Sequence, residues 1–186
     1  MKIPLILIAT SLGLLFSACS STPKTTRSYL LRSSNSMETR ELSVTGTLSL
    51  RSLKVANYID QPGLVLEQAD GTIHTARHHT WAEPLRISLR QFLCSEISAK
   101  ADYDVLDSNQ SLKGKQLDIM ITRLHGDADG NAVLSAHWTI SKGTHVRTFQ
   151  FAKTTPLDGT GYDALVTAQT KLLTEFAEAI ANNSSK

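Results

Sequence analysis

Polar and apolar residues alternate along this chain with two different periods, and the change of period marks its elements. After an apolar run over residues 3–16, residues 20–27 ("SSTPKTTR") are polar, and residues 28–32 ("SYLLR") predict a first strand. From Leu42 the period is two: Leu42, Val44, Gly46, Leu48 and Leu50 share one face, with Ser43, Thr45, Thr47 and Ser49 opposite. That is the pattern of a half-buried strand. The phase slips at Arg51–Ser52, after which Leu53 and Val55 carry the apolar face. A one-residue slip exchanges the faces, so a bulge, bend or break is expected there. A loop with a turn at Pro62–Gly63 leads to a strand over residues 64–68. A tight turn at residues 69–71 and a strand over residues 72–77 follow.

The period then becomes helical. Residues 81–100 ("WAEPLRISLRQFLCSEISAK") predict a helix with Pro84 in its first turn, where a missing N–H costs nothing. Leu85, Leu89, Phe92, Leu93, Glu96 and Ile97 form its stripe, apolar except for Glu96, while Arg86 and Arg90 are expected to point toward water. A three-strand meander comes next. Leu117, Ile119 and Ile121 alternate, "HGDADGN" turns, and Ala132, Leu134, Ala136, Trp138 and Ile140 alternate against polar neighbours. "SKGTH" turns again into "VRTFQFAK". The last element is the clearest: Tyr162, Leu165, Val166, Gln169, Leu172, Leu173, Phe176, Ala177 and Ile180 fall at helical spacing, and only Gln169 is polar. Strands segregated from two amphipathic helices predict an α+β fold. It is a two-layer sandwich, with a mostly antiparallel sheet and both helices packed on one face.

The N-terminal run changes the setting in which that domain works. Lys2 supplies a positive start, and the run of about 14 mostly apolar residues fits the core of an export signal. It is short of the roughly 20 residues that a spanning helix needs. Ser17 and Ala18 precede Cys19, which resembles a bacterial lipobox despite Phe16 in place of the usual leucine. The resemblance implies cleavage before Cys19, acylation of its sulfur, and further acylation of the new N-terminus. Two or more acyl chains anchor stably where one does not. Ser20, in place of aspartate, points to the outer membrane facing the periplasm. The organisation expected is a lipoprotein signal peptide over residues 1–18, a lipidated tether over 19–27 and a single periplasmic domain over 28–186.

Chemistry is sparse. A formal net charge of +2 over 186 residues, without a basic run, argues against nucleic acid as a partner. His74, His78 and His79 cluster before Glu83, but no zinc-ligand spacing is present, and they read as polar strand-end residues. "DADGN" has its glycine misplaced for a calcium loop and suits a hairpin turn. Cys94, the second of two cysteines, lies beside Phe92–Leu93 and reads as a buried, inert thiol. No nucleophile elbow or phosphate-binding glycine loop occurs. No enzyme, cofactor or metal site is expected.

Two stretches, "NYIDQPGLVLE" (residues 57–67) and "HHTWAEPLRISLRQFL" (residues 78–93), together resemble the PqiC/YmbA family of ABC-type transport auxiliary lipoproteins. Tyr58, Asp60, Pro62 and Val65 fit the family's first segment; Trp81, Ala82, Glu83, Pro84 and Leu85 fit its second. The resemblance implies a non-catalytic component of an MCE-type system that moves lipids or other hydrophobic molecules. Its partners would be an MCE-domain periplasmic protein and that protein's inner-membrane partner. The role implied is docking of the periplasmic assembly at the outer membrane, with room for a homo-oligomeric ring. The alternative is a lipoprotein that itself holds lipid or another apolar ligand between sheet and helices. Tyr58, Asp60, Pro62 and Trp81 are the candidate partner contacts. Each also has a physical reading: Tyr58 and Asp60 closing the turn by hydrogen bonds, Trp81 packing on Leu85 or the sheet.

Overall fold

A computed structural model describes residues 25–34, 48–101, 103–107 and 114–184. The expected strand residues 42–47, Cys19 and the signal and most of the tether lie outside these. The elements in order are β1 (Arg27–Tyr29), β2 (Leu48–Val55), β3 (Gly63–Glu67), β4 (Ile73–Trp81), α1 (Leu85–Lys100), β5 (Val105–Leu106), β6 (Lys115–Gly126), β7 (Asn131–Lys142), β8 (His145–Pro156) and α2 (Gly161–Ser184).

The sheet is built around β6. On one side, β7 pairs with it antiparallel, and β8 follows antiparallel from Asn131↔Pro156 to Lys142↔His145. On the other side, the first half of β6 pairs parallel with β2, and Gly126 pairs with Leu66 of β3. Beyond β3 lies β4, antiparallel; β1 then closes that edge parallel to β4, and β5 pairs parallel with β2. The long ladders are therefore antiparallel and the parallel pairings are mostly short. Both helices lie on one face, α1 over β2 and β5, α2 over β6, β7 and β8, and they pack on each other. This is the expected α+β arrangement.

The apolar periods find their places in one core. Leu117, Ile119 and Ile121 of β6 and Leu134, Ala136, Trp138 and Ile140 of β7 are buried against Leu165, Leu172, Phe176 and Ile180 of α2. The slip at Arg51–Ser52 is a β-bulge: Leu50 pairs with Leu117 and Ser52 with Asp118, leaving Arg51 as the extra residue. Arg51 is re-aimed onto Asp118 Oδ1 (2.9 Å) and Gln116 Oε1 (2.7 Å).

Three local expectations change. Strand β4 runs on to Trp81, so α1 begins at Leu85 rather than at Trp81. The extension is held from both sides: Trp81 N–H donates to Pro62 O (2.7 Å) and Ala82 N–H to Tyr29 O (2.8 Å). Arg90 does not point to water. It is half-buried beside the Arg51 bulge, donating through Nη2 to Leu50 O (2.9 Å) and pairing with Asp107. The first strand ends at Tyr29, after which Leu31 turns into the core. Glu96, the polar member of the α1 stripe, is buried and accepts a hydrogen bond from Ser33 Oγ, tying this segment to the helix.

Candidate functional site

The segment between β2 and β3 folds as a short, self-bonded turn. Ile59 N–H (2.9 Å) and Asp60 N–H (3.1 Å) both donate to Ala56 O, and Gln61 N–H donates to Ile59 O (2.8 Å). Ile59 plugs this turn into the core, being 1% exposed. Gly63 follows at a point of close approach. A Cβ there would stand 2.4 Å from Ala76 O and 2.5 Å from Thr75 Cγ2, so only glycine lets β3 lie this close to β4. The Pro62 carbonyl then reaches Trp81 N–H.

That contact brings the two sequence segments into one groove of about 330 Å³, lined by Asp60, Gln61, Pro62 and residues 81–85. Trp81, 7% exposed and part of the core, forms its floor. Pro62, Ala82 and Pro84 are exposed and form its rim. Its two carboxylates are engaged: Asp60 pairs with Arg86, while Glu83 accepts from Arg32 (3.2 Å) and Ser88 Oγ (3.2 Å). The arrangement offers apolar surface framed by paired charges, which suits gripping a side chain.

Of the four candidate contacts, Asp60, Pro62 and Trp81 therefore meet, and Tyr58 is turned elsewhere. Its hydroxyl donates to Thr122 O (3.1 Å), at a bulge where β6 passes from its β2 partner to its β3 partner. Tyr58 fills the gap that neither strand covers. Its ring lies 6.1 Å from that of His125, which is 1% exposed. His125 Nε2 accepts from Arg123 Nε (3.2 Å) and stands 3.4 Å from Glu67. Burial raises the Tyr58 pKa; the Arg123 charge opposes this and the Glu67 charge adds to it.

A second cluster has no signature in the sequence. Tyr29 Oη and His79 Nδ1 are 2.8 Å apart, the His79 ring stacks on Tyr162 at 4.2 Å, and Arg27 pairs with Asp163 at 2.7 Å. Residues far apart in the chain thus clasp β1 to the start of α2. Burial is the main cause raising the Tyr29 pKa, with Asp163 contributing. Among the described residues no group of three or more His, Cys, Asp or Glu is placed to hold a metal ion. In the "DADGN" turn, Asp127 Oδ1 accepts from Asp129 N–H (3.0 Å) and Asn131 N–H (2.8 Å), with Gly130 at φ +78. Partial burial alone would raise the Asp127 pKa, but the hydrogen bonds from Asn131 and Asp129 prevail and lower it.

Cys94 has its thiol pushed up to about 12, first by burial and then by Asp107, with Arg90 opposing. The thiolate is the reactive form, so the native protein at pH 8 should react with iodoacetamide at least tenfold more slowly than the unfolded chain, as followed by mass spectrometry. Native labelling at the unfolded rate would contradict this environment.

Residues 29–181 match the family model of the ABC-type transport auxiliary lipoprotein component. No curated protein matches the chain. Among solved structures, the crystal structure of an uncharacterized protein superposes with a TM-score of 0.73 at 23% identity, over 86% of this chain and 98% of that one. A Xanthomonas campestris protein of the DUF330 family superposes with a TM-score of 0.55 at 19% identity, over 73% and 80% of the two chains. Both likenesses show the fold. Among the described residues no helix is long and apolar enough to cross a membrane.

Proposed function

Since this chain belongs to the family of ABC-type transport auxiliary lipoprotein components, we propose that it docks a periplasmic MCE-domain assembly at the outer membrane. On this reading it is a non-catalytic member of a system that moves lipids or other hydrophobic molecules. Cys19 carries the acyl chains, the residues from Ser20 up to the start of β1 at Arg27 are the tether, and the folded domain is the docking module. The observation that carries the proposal is the meeting of residues 57–67 and 78–93 in one groove, with Trp81 as floor and Pro62 and Pro84 as rim. The groove adjoins β1, the strand into which the tether leads, through the Ala82–Tyr29 backbone bond. Exposed apolar surface of this kind, rimmed by polar groups, is typical of protein contacts.

Two substitutions test separate parts. Cys19→Ala should abolish incorporation of an alkyne-tagged fatty acid, read by in-gel fluorescence; labelling equal to that of the unaltered protein would refute the anchor. Ala82→Arg obstructs the groove at an exposed position outside the core, where substitutions usually change stability by less than about 0.5 kcal/mol. With the acylated protein as bait, this variant should recover at least tenfold less MCE-domain protein while melting at an unchanged temperature. Equal recovery would remove the groove from the docking surface. Failure of the unaltered bait to recover any MCE-domain protein would sink the docking role itself.

A further inference from the structure

A second cavity, at the far end of the domain, differs in chemistry from the groove. It is a half-open pocket of about 590 Å³ lined by the β7–β8 hairpin and the start of β6, which are bonded to the end of α2. Among the described residues its lining contains Lys115, Lys142, His145 and Arg147, with Ile140 and Val146 as apolar surface, and no acidic residue. Part of this charge has a structural reason. Lys115 Nζ donates to Ser184 O and Arg147 Nη2 to Asn183 O (2.7 Å), the carbonyls at the negative end of the α2 dipole. That reason does not extend to Lys142 or His145, which flank the two-residue turn of the hairpin. Nor does it extend to Val146, a large apolar side chain left 62% exposed beside them.

The cations also oppose one another. The Lys115 pKa is lowered by burial first, and then by the charges of Arg147 and Lys142. A bound anion would relieve that repulsion, and the ammonium of Lys115 has three N–H donors, of which the Ser184 carbonyl needs one. The volume lies within the range of small-molecule sites, roughly 300–1,000 Å³, and exceeds what a bare inorganic anion fills. From the cation cluster, the apolar walls and this volume, we infer that the hairpin cavity is a binding site for an amphiphilic anion: a phosphate-type head on Lys115 and Lys142, with an apolar portion against Ile140 and Val146. The site is distant from the anchored end. Arg27 meets α2 at Asp163, in its first turn, whereas the cavity lies at its last. Along the helix, the 21 positions from Asp163 to Ser184 separate the two by about 30 Å, at roughly 1.5 Å per residue.

The test uses the full-length protein held in phosphatidylcholine nanodiscs, with empty nanodiscs as the blank. Binding of hexyl phosphate, inorganic phosphate and hexanol is followed by ligand-observed NMR. Saturable binding of hexyl phosphate is expected, at least tenfold tighter than that of inorganic phosphate or hexanol. Lys142→Glu, at an exposed position outside the core, should weaken it at least tenfold, and Lys54→Glu on β2 should leave it unchanged. Inorganic phosphate binding as tightly as hexyl phosphate would mark a free-anion site and overturn the amphiphile. Hexanol binding as tightly would overturn the anion. No saturable binding, or indifference to Lys142→Glu, would overturn the site. None of these outcomes depends on whether an MCE-domain protein binds the groove.

Discussion

Phe176→Ala is expected to destabilise the domain by about 3–5 kcal/mol, the range for emptying a buried aromatic position. Phe176 is fully buried on α2 and is the ring on which the helix and the meander converge. Trp138 of β7 meets it edge-on at 5.5 Å, and Phe151 of β8 packs on it at 5.4 Å. Trp138 also stacks on Phe149 at 5.0 Å, so the four rings form one cluster between sheet and helix. Removing the central ring leaves a hole that its rigid neighbours cannot close by changing rotamer. For a domain of this size each kcal/mol lowers the melting temperature by about 2–4 °C, so a drop of about 10 °C is expected in thermal denaturation. A drop under about 3 °C would mean that the cluster does not hold α2 on the sheet.

Gly63→Ala should destabilise by about 1–3 kcal/mol, the range for overpacking, and should do so through backbone rather than side-chain strain. The new Cβ would meet the Ala76 carbonyl at 2.4 Å, an atom in the middle of β4 that cannot swing aside. Relief requires β3 and β4 to part near the Pro62–Trp81 hydrogen bond, which is also what shapes the groove. This variant should therefore lose melting temperature and MCE-domain recovery together, whereas Ala82→Arg loses only recovery. Calorimetry and the pull-down, run on both variants, separate the two effects. A Gly63→Ala protein as stable as the parent would show that β3 can move away without cost.

The period-two and period-3.6 patterns could be read because each reports burial along one continuous element. The buried stripe of α2 and the alternation of β7 needed no knowledge of their partners. The Arg51 bulge was legible for the same reason, since a phase slip within a strand leaves few other outcomes. What stayed hidden depends on pairs far apart in sequence. Nothing local to Arg90 shows that the Leu50 carbonyl lies within its reach. Nothing local to residues 78–81 shows that Tyr29 and Pro62 flank them and keep β4 extended. Tyr58 reads as part of the groove by its neighbours Asp60 and Pro62, yet the gap beside Thr122 takes its hydroxyl. The histidines illustrate the same divide: His79 and Tyr162 stack across nearly half the chain, and no spacing rule connects them.

The orientation of β1 has a mechanical consequence. It runs parallel to β4, with Arg27, Ser28 and Tyr29 beside His79, Thr80 and Trp81, and Arg27 is pinned to Asp163. A pull on the chain ahead of Arg27 acts along the strand, so its backbone bonds are loaded together in shear instead of peeling one at a time. The last of these contacts, Tyr29 O to Ala82 N–H, adjoins the floor of the groove. Tension arriving from the N-terminal side would thus be shared between the start of α2, through Arg27 and Asp163, and the strand end at Trp81, making β1 the element through which strain enters the domain.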